Sequence, residues 1–389
     1  TEPAAFTAPT RRPSRLGAAL SRLWAYSWRE SLELVRDPIR LFFAFVGPVI
    51  LLITIGYGIS FDVDKLTFAA LDQDQSPESR RLIEQFSSIR QFETGADVTD
   101  MGDISNRMGR GALTIAMEIP DGFGRELRQG DKPEVGLWID GAMPFRADTA
   151  RGYALGLLQG YSQTYAQEEG LASTAAATIE TRFLFNQAFK SANAMVPSVI
   201  MLILALIPGV MSAVGVVREK ETGTIANFRS TPVGRTEFLL GKQLPYIALA
   251  TVNFWMLYIL GITLFRVPFT GSLPALAAIS VLYVAATTGF GQFVSSFTRT
   301  QVAAVFSVAV ITIIPTVNFS GLIVPVSSMG KGAQVFGLAF PGAWYQPVSV
   351  GTFAKGLGWA DLRLNAAALA AFGLIYLAAS VAALRKQEA

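Results

Sequence analysis

The chain has 389 residues, 51% hydrophobic and only 16% charged, with no cysteine and no histidine. Average usage is about 25% charged, so the deficit points to a membrane protein. The missing residues exclude a disulfide framework, a thiolate metal site and a histidine base, and the net charge of +3 matters less than where the charges fall.

The first segment, residues 1–13, is Pro/Ala/Thr-rich and basic, has no apolar h-region, and reads as a flexible, linker-like tail. From residue 14 to 37 the pattern is an amphipathic helix. Leu16, Leu20, Leu23, Trp24, Trp28, Leu32 and Val35 form one stripe, while Arg15, Arg22, Arg29 and Arg36 recur every seventh residue on another. A helix rich in Arg and Trp lies in the membrane interface plane. It serves there as a lipid anchor, or also as a dock for a cytoplasmic partner.

Charge-free apolar runs then mark six predicted spans. They are Leu41–Phe61 (with its approach, 38–61), Ser191–Val217, Gln243–Phe265, about Pro274–Phe297, Thr300 to about Asn318, and Leu364–Leu384. Each approaches or exceeds the roughly 20 residues that cross a bilayer. Residues 332–354 are also uncharged but carry Pro341, Pro347, Trp344, Tyr345 and Gln346. They read as a re-entrant or interfacial segment, with a seventh span as the alternative.

Between the first and second spans, residues 62–190 hold 13 Lys/Arg against 20 Asp/Glu. Strands are predicted at Leu66–Leu71, Ala112–Ile119 and Glu134–Ile139, and helices at Ser76–Phe86, Phe123–Arg128 and Arg146–Gln167. Asp72, Asp74 and Asp140 read as turn residues. Arg residues instead crowd the segment before span one, the loop between spans two and three, the spans four–five turn and the C-terminus. If six helices alternate, all of these share one side, the cytoplasm by the positive-inside rule. The fold class expected is therefore an α-helical integral membrane protein with six transmembrane helices and an inserted α/β extracytoplasmic domain. Both termini would face the cytoplasm of a bacterial inner membrane.

A segment of mixed charge, Arg218–Lys242, connects spans two and three. Gly223 can stop the helix leaving span two, and Thr222 or Thr224 can cap a short helix after it. Phe228 offers an apolar anchor, with Arg218, Glu219, Lys220 and Glu221 as rim charges. No ionisable residue sits at the centre of a span, where one usually marks an ion or proton path. No GxxxxGK[ST] loop is present either. The chain is not an enzyme by itself, and energy for uphill transport must come from another polypeptide. Pro208, Asn253, Pro315, Asn318 and Phe319 are candidates for a translocation path, against the plainer roles of helix shape and interhelical hydrogen bonding.

Several motifs fall in a distinctive order: RDPIR (36–40), WIDGAMP (138–144), RFLFNQ (182–187), VREKETG (217–223), STPVGRTEFLLGKQLPY (230–246) and FSGLIVP (319–325). Together they resemble the ABC-2 type permeases of ATP-driven exporters, and in particular the membrane portion of the bacterial ribosome-associated ATPase. The resemblance implies that Glu219–Phe228 is a coupling helix inserted into a nucleotide-binding domain, separate or fused, which carries ATP and Mg. It also implies a second permease half, as homodimer or heterodimer, and by analogy a periplasmic membrane-fusion protein. The expected function is efflux of a hydrophobic or amphiphilic substrate. The alternative is a membrane anchor of a ribosome-associated ATPase without transport. The Arg-rich tail fits anionic lipid better than nucleic acid.

Overall fold

Hydrocarbon offers no partner for a peptide group, so an apolar run of span length must close its hydrogen bonds within itself. The chain obeys this in a computed structural model that describes residues 15–58, 66–131, 133–140, 144–168, 190–223, 233–324 and 326–386. The tail 1–13 and the motif RFLFNQ lie outside the described residues. The chain divides into two units, one within Phe61–Leu184 and one from the segments on either side.

Among the described residues, six helices are long and apolar enough to cross a membrane. They are α2 (Pro38–Gly58), α7 (Ser191–Glu221), α8 (Arg235–Thr263), α9 (Leu273–Ser295), α10 (Gln301–Phe319) and α13 (Trp359–Lys386). Before them runs α1 (Arg15–Arg36), which packs along α8. The element α7 is central and packs against α2, α8, α9, α10 and α12 (Pro341–Ala354). Two thirds of its apolar stretch (67%) is buried by this chain, against 17% for α2 and α13, whose faces are left to lipid or to another chain.

Close backbone approach holds α7 to α9. A Cβ on Gly291 would collide with the carbonyl of Gly209, so glycine is required at this crossing. Polar side chains add interhelical bonds. Thr287 Oγ1 donates to Leu204 O at 3.1 Å, and Tyr283 OH donates to Met201 O at 3.2 Å. Tyr283 also stacks on Tyr345 with ring centres 4.0 Å apart.

Residues 332–354 fall in two helices, α11 (Lys331–Leu338) and α12 (Pro341–Ala354). The chain breaks before Pro341, which takes the first turn of α12, where its missing N–H costs nothing. At 14 residues, α12 is about 21 Å long, less than the roughly 30 Å hydrocarbon core. It packs against α7, α9 and α13. Its end is stitched to the α8–α9 turn, where Gly271 N donates to Thr352 O at 2.8 Å and Ser272 N to Leu357 O at 3.2 Å.

The second unit is a four-stranded sheet, order β2-β1-β3-β4, with β1 (Leu66–Asp72) parallel to β2 (Phe92–Thr94) and β3 (Ile115–Ile119). The strand β4 (Gly136–Ile139) pairs antiparallel to β3. Alternation along β1 sends Leu66 and Phe68 to one face and Ala69 and Leu71 to the other. The first face packs on α3 (Pro77–Ser87), α5 (Phe123–Gln129) and α6 (Pro144–Glu168), the second on α4 (Met101–Gly109). Neither β2 nor α4 was expected from the sequence. Only Phe92 of β2 and Ile104 of α4 are buried, too little apolar signal for a periodicity to register.

Asp72 and Asp74 are committed to the turn after β1. Asp74 accepts from Gly122 N at 2.8 Å and Gly124 N at 2.9 Å, capping the start of α5, and Asp72 accepts from Ser79 Oγ at 2.7 Å. Desolvation pushes the Asp74 carboxyl up. The hydrogen bonds from Ser76, Gly124 and Gly122 outweigh it, so the group sits below its ordinary value.

Candidate coupling site at the end of α7

The loop from span two to span three begins later than its charges suggest. Arg218, Glu219, Lys220 and Glu221 form the last turn of α7, not the start of a separate helix. Thr222 is the C-cap and Gly223, at φ +71°, turns the chain out in the left-handed region that glycine tolerates. Thr224 and Phe228 lie outside the described residues.

The four charges also make contacts within the chain. Each is spent on a different neighbour. Lys220 Nζ donates to Ser295 O at 2.8 Å, Ser296 O at 3.1 Å and Thr298 O at 3.4 Å, at the C-terminus of α9. Glu221 accepts from Gln301 N at 2.8 Å, at the N-terminus of α10, and from the Gln301 amide. Arg218 lies 4.0 Å from Asp37, which also bonds Arg40 N at 3.1 Å and so caps α2 behind Pro38. The RDPIR motif is thus the corner between α1 and α2.

Glu219 enters a buried cluster that the sequence reading missed. Lys242 of α8 lies 2.9 Å from Glu219 and 2.7 Å from Glu30 of α1, and donates to Gly215 O at 3.1 Å. Tyr246, one turn further along α8, donates to the other Glu30 oxygen at 2.7 Å. The Lys242 side chain is 2% exposed and that of Glu30 6%. An ion in such a place needs a partner of opposite sign, and Lys242 has two. The cluster closes because glycines let the backbones approach. A Cβ at Gly215 would strike Tyr246 OH, and one at Gly241 would lie 2.8 Å from Tyr26 Cβ. Two glycines, each within a turn of a charged residue, were the signal available. The helix α8 starts at Arg235 and not at Gln243: Glu237 accepts from Gly234 N at 3.1 Å at its start, and Lys242 lies inside it, buried and paired.

The helix α1 therefore uses two faces. Leu20, Trp24, Trp28, Leu32 and Val35 remain exposed, the face suited to lipid. Tyr26, Ser27, Glu30 and Leu34 point to the protein. The arginine row divides too. Arg22 grips Glu237 with two bonds of 2.9 and 2.8 Å, and this hydrogen bonding raises the guanidinium above its ordinary value. Arg29 pairs with Glu33 at 3.0 Å on the exposed side, and Arg36 is exposed.

The candidate path residues are not brought together. Asn253 donates to Ala44 O of α2 at 2.9 Å, fixing α8 to α2, and Asn318 donates to Ile314 O of its own helix. The Phe319 ring meets that of Phe336, 5.0 Å away. Pro208 and Pro315 are buried in α7 and α10. Their neighbours Ala205, Thr312 and Thr316, with Tyr283, Thr287 and Phe290, line a cavity of about 20 Å³ closed by Phe340–Gly342. That is room for about one water, so the described residues enclose no substrate-sized space there.

Comparison with known proteins matches residues 39–382 to the ABC-2 family transporter protein model. The chain belongs to the ABC-2 transporter family. It is 29% identical over 315 residues to the probable multidrug ABC transporter permease YbhS of Escherichia coli K12, covering 79% of this chain and 82% of that protein. It is 25% identical over 308 residues to the probable multidrug permease YbhR of the same organism, covering 79% and 83%. It is 23% identical over 297 residues to the inner membrane transport permease YhhJ, covering 75% and 77%. The ABC-2 chain is thus a multi-pass membrane protein and the permease subunit of an ABC transporter; its relatives are membrane subunits and not enzymes themselves. Its family works with an ABC ATPase, and in bacteria such permeases sit in the inner membrane.

Proposed function

We propose that this permease couples ATP hydrolysis on a partner nucleotide-binding domain to export of a hydrophobic or amphiphilic substrate, through the end of α7 and the segment that follows it. The observation that carries the reading is the hub at Arg218–Glu221, where four consecutive charges of α7 meet the α1–α2 corner, α8, α9 and α10. A push on residues 224–232 passes along the chain to α7, and from there to α8, α9 and α10 through bonds of 2.8–2.9 Å. ATP and Mg belong on the partner, separate or fused. The multidrug names of YbhS and YbhR support the substrate class.

In this reading both termini and the hub face the cytoplasm, because the arginine-rich ends collect there. The α/β unit then stands outside the membrane, where a membrane-fusion protein could engage it. The uncovered faces of α2, α10 and α13 leave room for lipid and for a second permease half, identical or different. Pro208, Pro315 and Phe319 flank the α7–α10 region and would border a path that opens only between two halves.

The test follows from the geometry. Deleting Glu219–Phe228 would also remove Glu219, Lys220 and Glu221, which hold the helix ends. Replacing 224–232 alone with a Gly-Ser linker leaves them in place. The assembled transporter should then bind ATP but lose stimulation of its ATP hydrolysis by an exported dye such as rhodamine 6G and lose ATP-driven dye export. Unaltered export would refute the coupling assignment.

A further inference from the structure

We propose that Lys220 and Glu221 are positioning residues that clamp the α9–α10 turn onto the end of α7, so that α7, α9 and the base of α10 move as one body in the transport cycle. This rests on the coupling reading above and adds the element that moves with the input.

The chemistry of the clamp is specific. A helix C-terminus leaves carbonyls unpaired and carries partial negative charge, and an N-terminus leaves amides unpaired and carries partial positive charge. The cation at 220 sits on the first, at Ser295, Ser296 and Thr298, and the anion at 221 sits on the second, at Gln301. Two adjacent residues of opposite sign on one helix turn thus match two adjacent helix ends of opposite polarity.

Capping alone does not require them. Thr300 already caps α10 by accepting from Ala303 N at 3.2 Å, and the Ser295, Ser296 and Thr298 hydroxyls bond carbonyls of their own helix end. What Lys220 and Glu221 add is a link to a different helix. Further along, the glycine crossing of Gly209 with Gly291 and the bonds from Thr287 and Tyr283 hold α9 to α7. The two helices are joined at the end and along their length, the arrangement of a lever and not of a hinge.

The absence of native cysteine makes the test direct. Nitroxide pairs are placed at Thr222→Cys with Arg299→Cys, and at Thr222→Cys with Gly58→Cys at the far end of α2, where an added side chain meets nothing within 4 Å. Distances are measured in the permease purified with its ATPase, nucleotide-free and trapped with ATP and vanadate. The clamp predicts one narrow Thr222–Arg299 distance, identical in both states, while the Thr222–Gly58 distance changes. In Lys220→Ala/Glu221→Gln the first distance should broaden and shift on trapping, and Lys220→Arg should keep it narrow. A Thr222–Arg299 distance that changes on trapping in the otherwise native chain overturns the clamp, as does one that stays narrow in the double variant. A Thr222–Gly58 distance that never changes contradicts the coupling reading itself, and the clamp falls with it.

Discussion

The two units of this chain choose their cores by opposite rules. In the α/β unit the core is apolar and aromatic, with Phe68, Phe86 and Phe92 meeting at ring distances of 5.2–5.8 Å. Polar groups there sit at helix starts, as Ser76 and Asp74 do. In the helical unit the apolar residues are as content outside as inside, since lipid tails are as apolar as leucine. What marks its interior is glycine, hydroxyl, amide and, at one end, a buried Lys–Glu cluster. The difference teaches where to look for specificity. In the sheet unit it lies in the large side chains, and in the helical unit in the small and polar ones.

The sharpest way to break the comparison is Lys242→Met. By the rule for the helical unit it should be among the most damaging single changes, costing about 3–5 kcal/mol because the carboxylates of Glu30 and Glu219 lose the buried cation between them. Thermal unfolding in detergent should show it. Glu30→Gln/Lys242→Met/Glu219→Gln together should lose much less. Phe68→Ala is the counterpart in the sheet unit, at about 3–5 kcal/mol for a buried aromatic. Limited proteolysis should cut the 61–184 region while α7–α10 stay protected.

A smaller effect separates the polar roles. Ser76→Ala removes the N-cap that accepts from Ser79 N at 3.1 Å, at a cost of about 1 kcal/mol. Asp74 adds a pH dependence. Its folded value is lowered, so its contribution is whole above the ordinary aspartate value near 3.9 and is lost as pH falls below it. Asp74→Asn should flatten the acid limb of unfolding of the α/β unit. Smallest is Asn253→Ala, which cuts one interhelical bond and should cost about 0.6 kcal/mol, the average for such bonds in membranes.

The same contrast explains what could be read from the sequence. Six spans were legible because hydropathy records insertion in lipid. The strands from Leu66 and to Ile119 and Ile139 were legible because short apolar runs mark strands in a sheet packed on both faces. Packing in the helical unit was not legible, since nothing in hydropathy separates buried Val199 from exposed Val310. Glu30 was invisible for a related reason. It sits on the face of α1 opposite the Trp stripe, and the amphipathic pattern assigns such a face to water. Gly223 was readable as a stop, whereas the destinations of Lys220 and Glu221 depend on helix ends some 80 residues away.

The central claim is that an ATPase presses on the end of α7. A photo-cross-linking amino acid at Thr222 tests it most directly, because this residue is exposed and caps the helix. In intact membranes the account predicts a covalent adduct between residue 222 and the nucleotide-binding domain, stronger or weaker as ATP is bound or hydrolysed. An adduct formed solely with proteins of the opposite membrane face would contradict it.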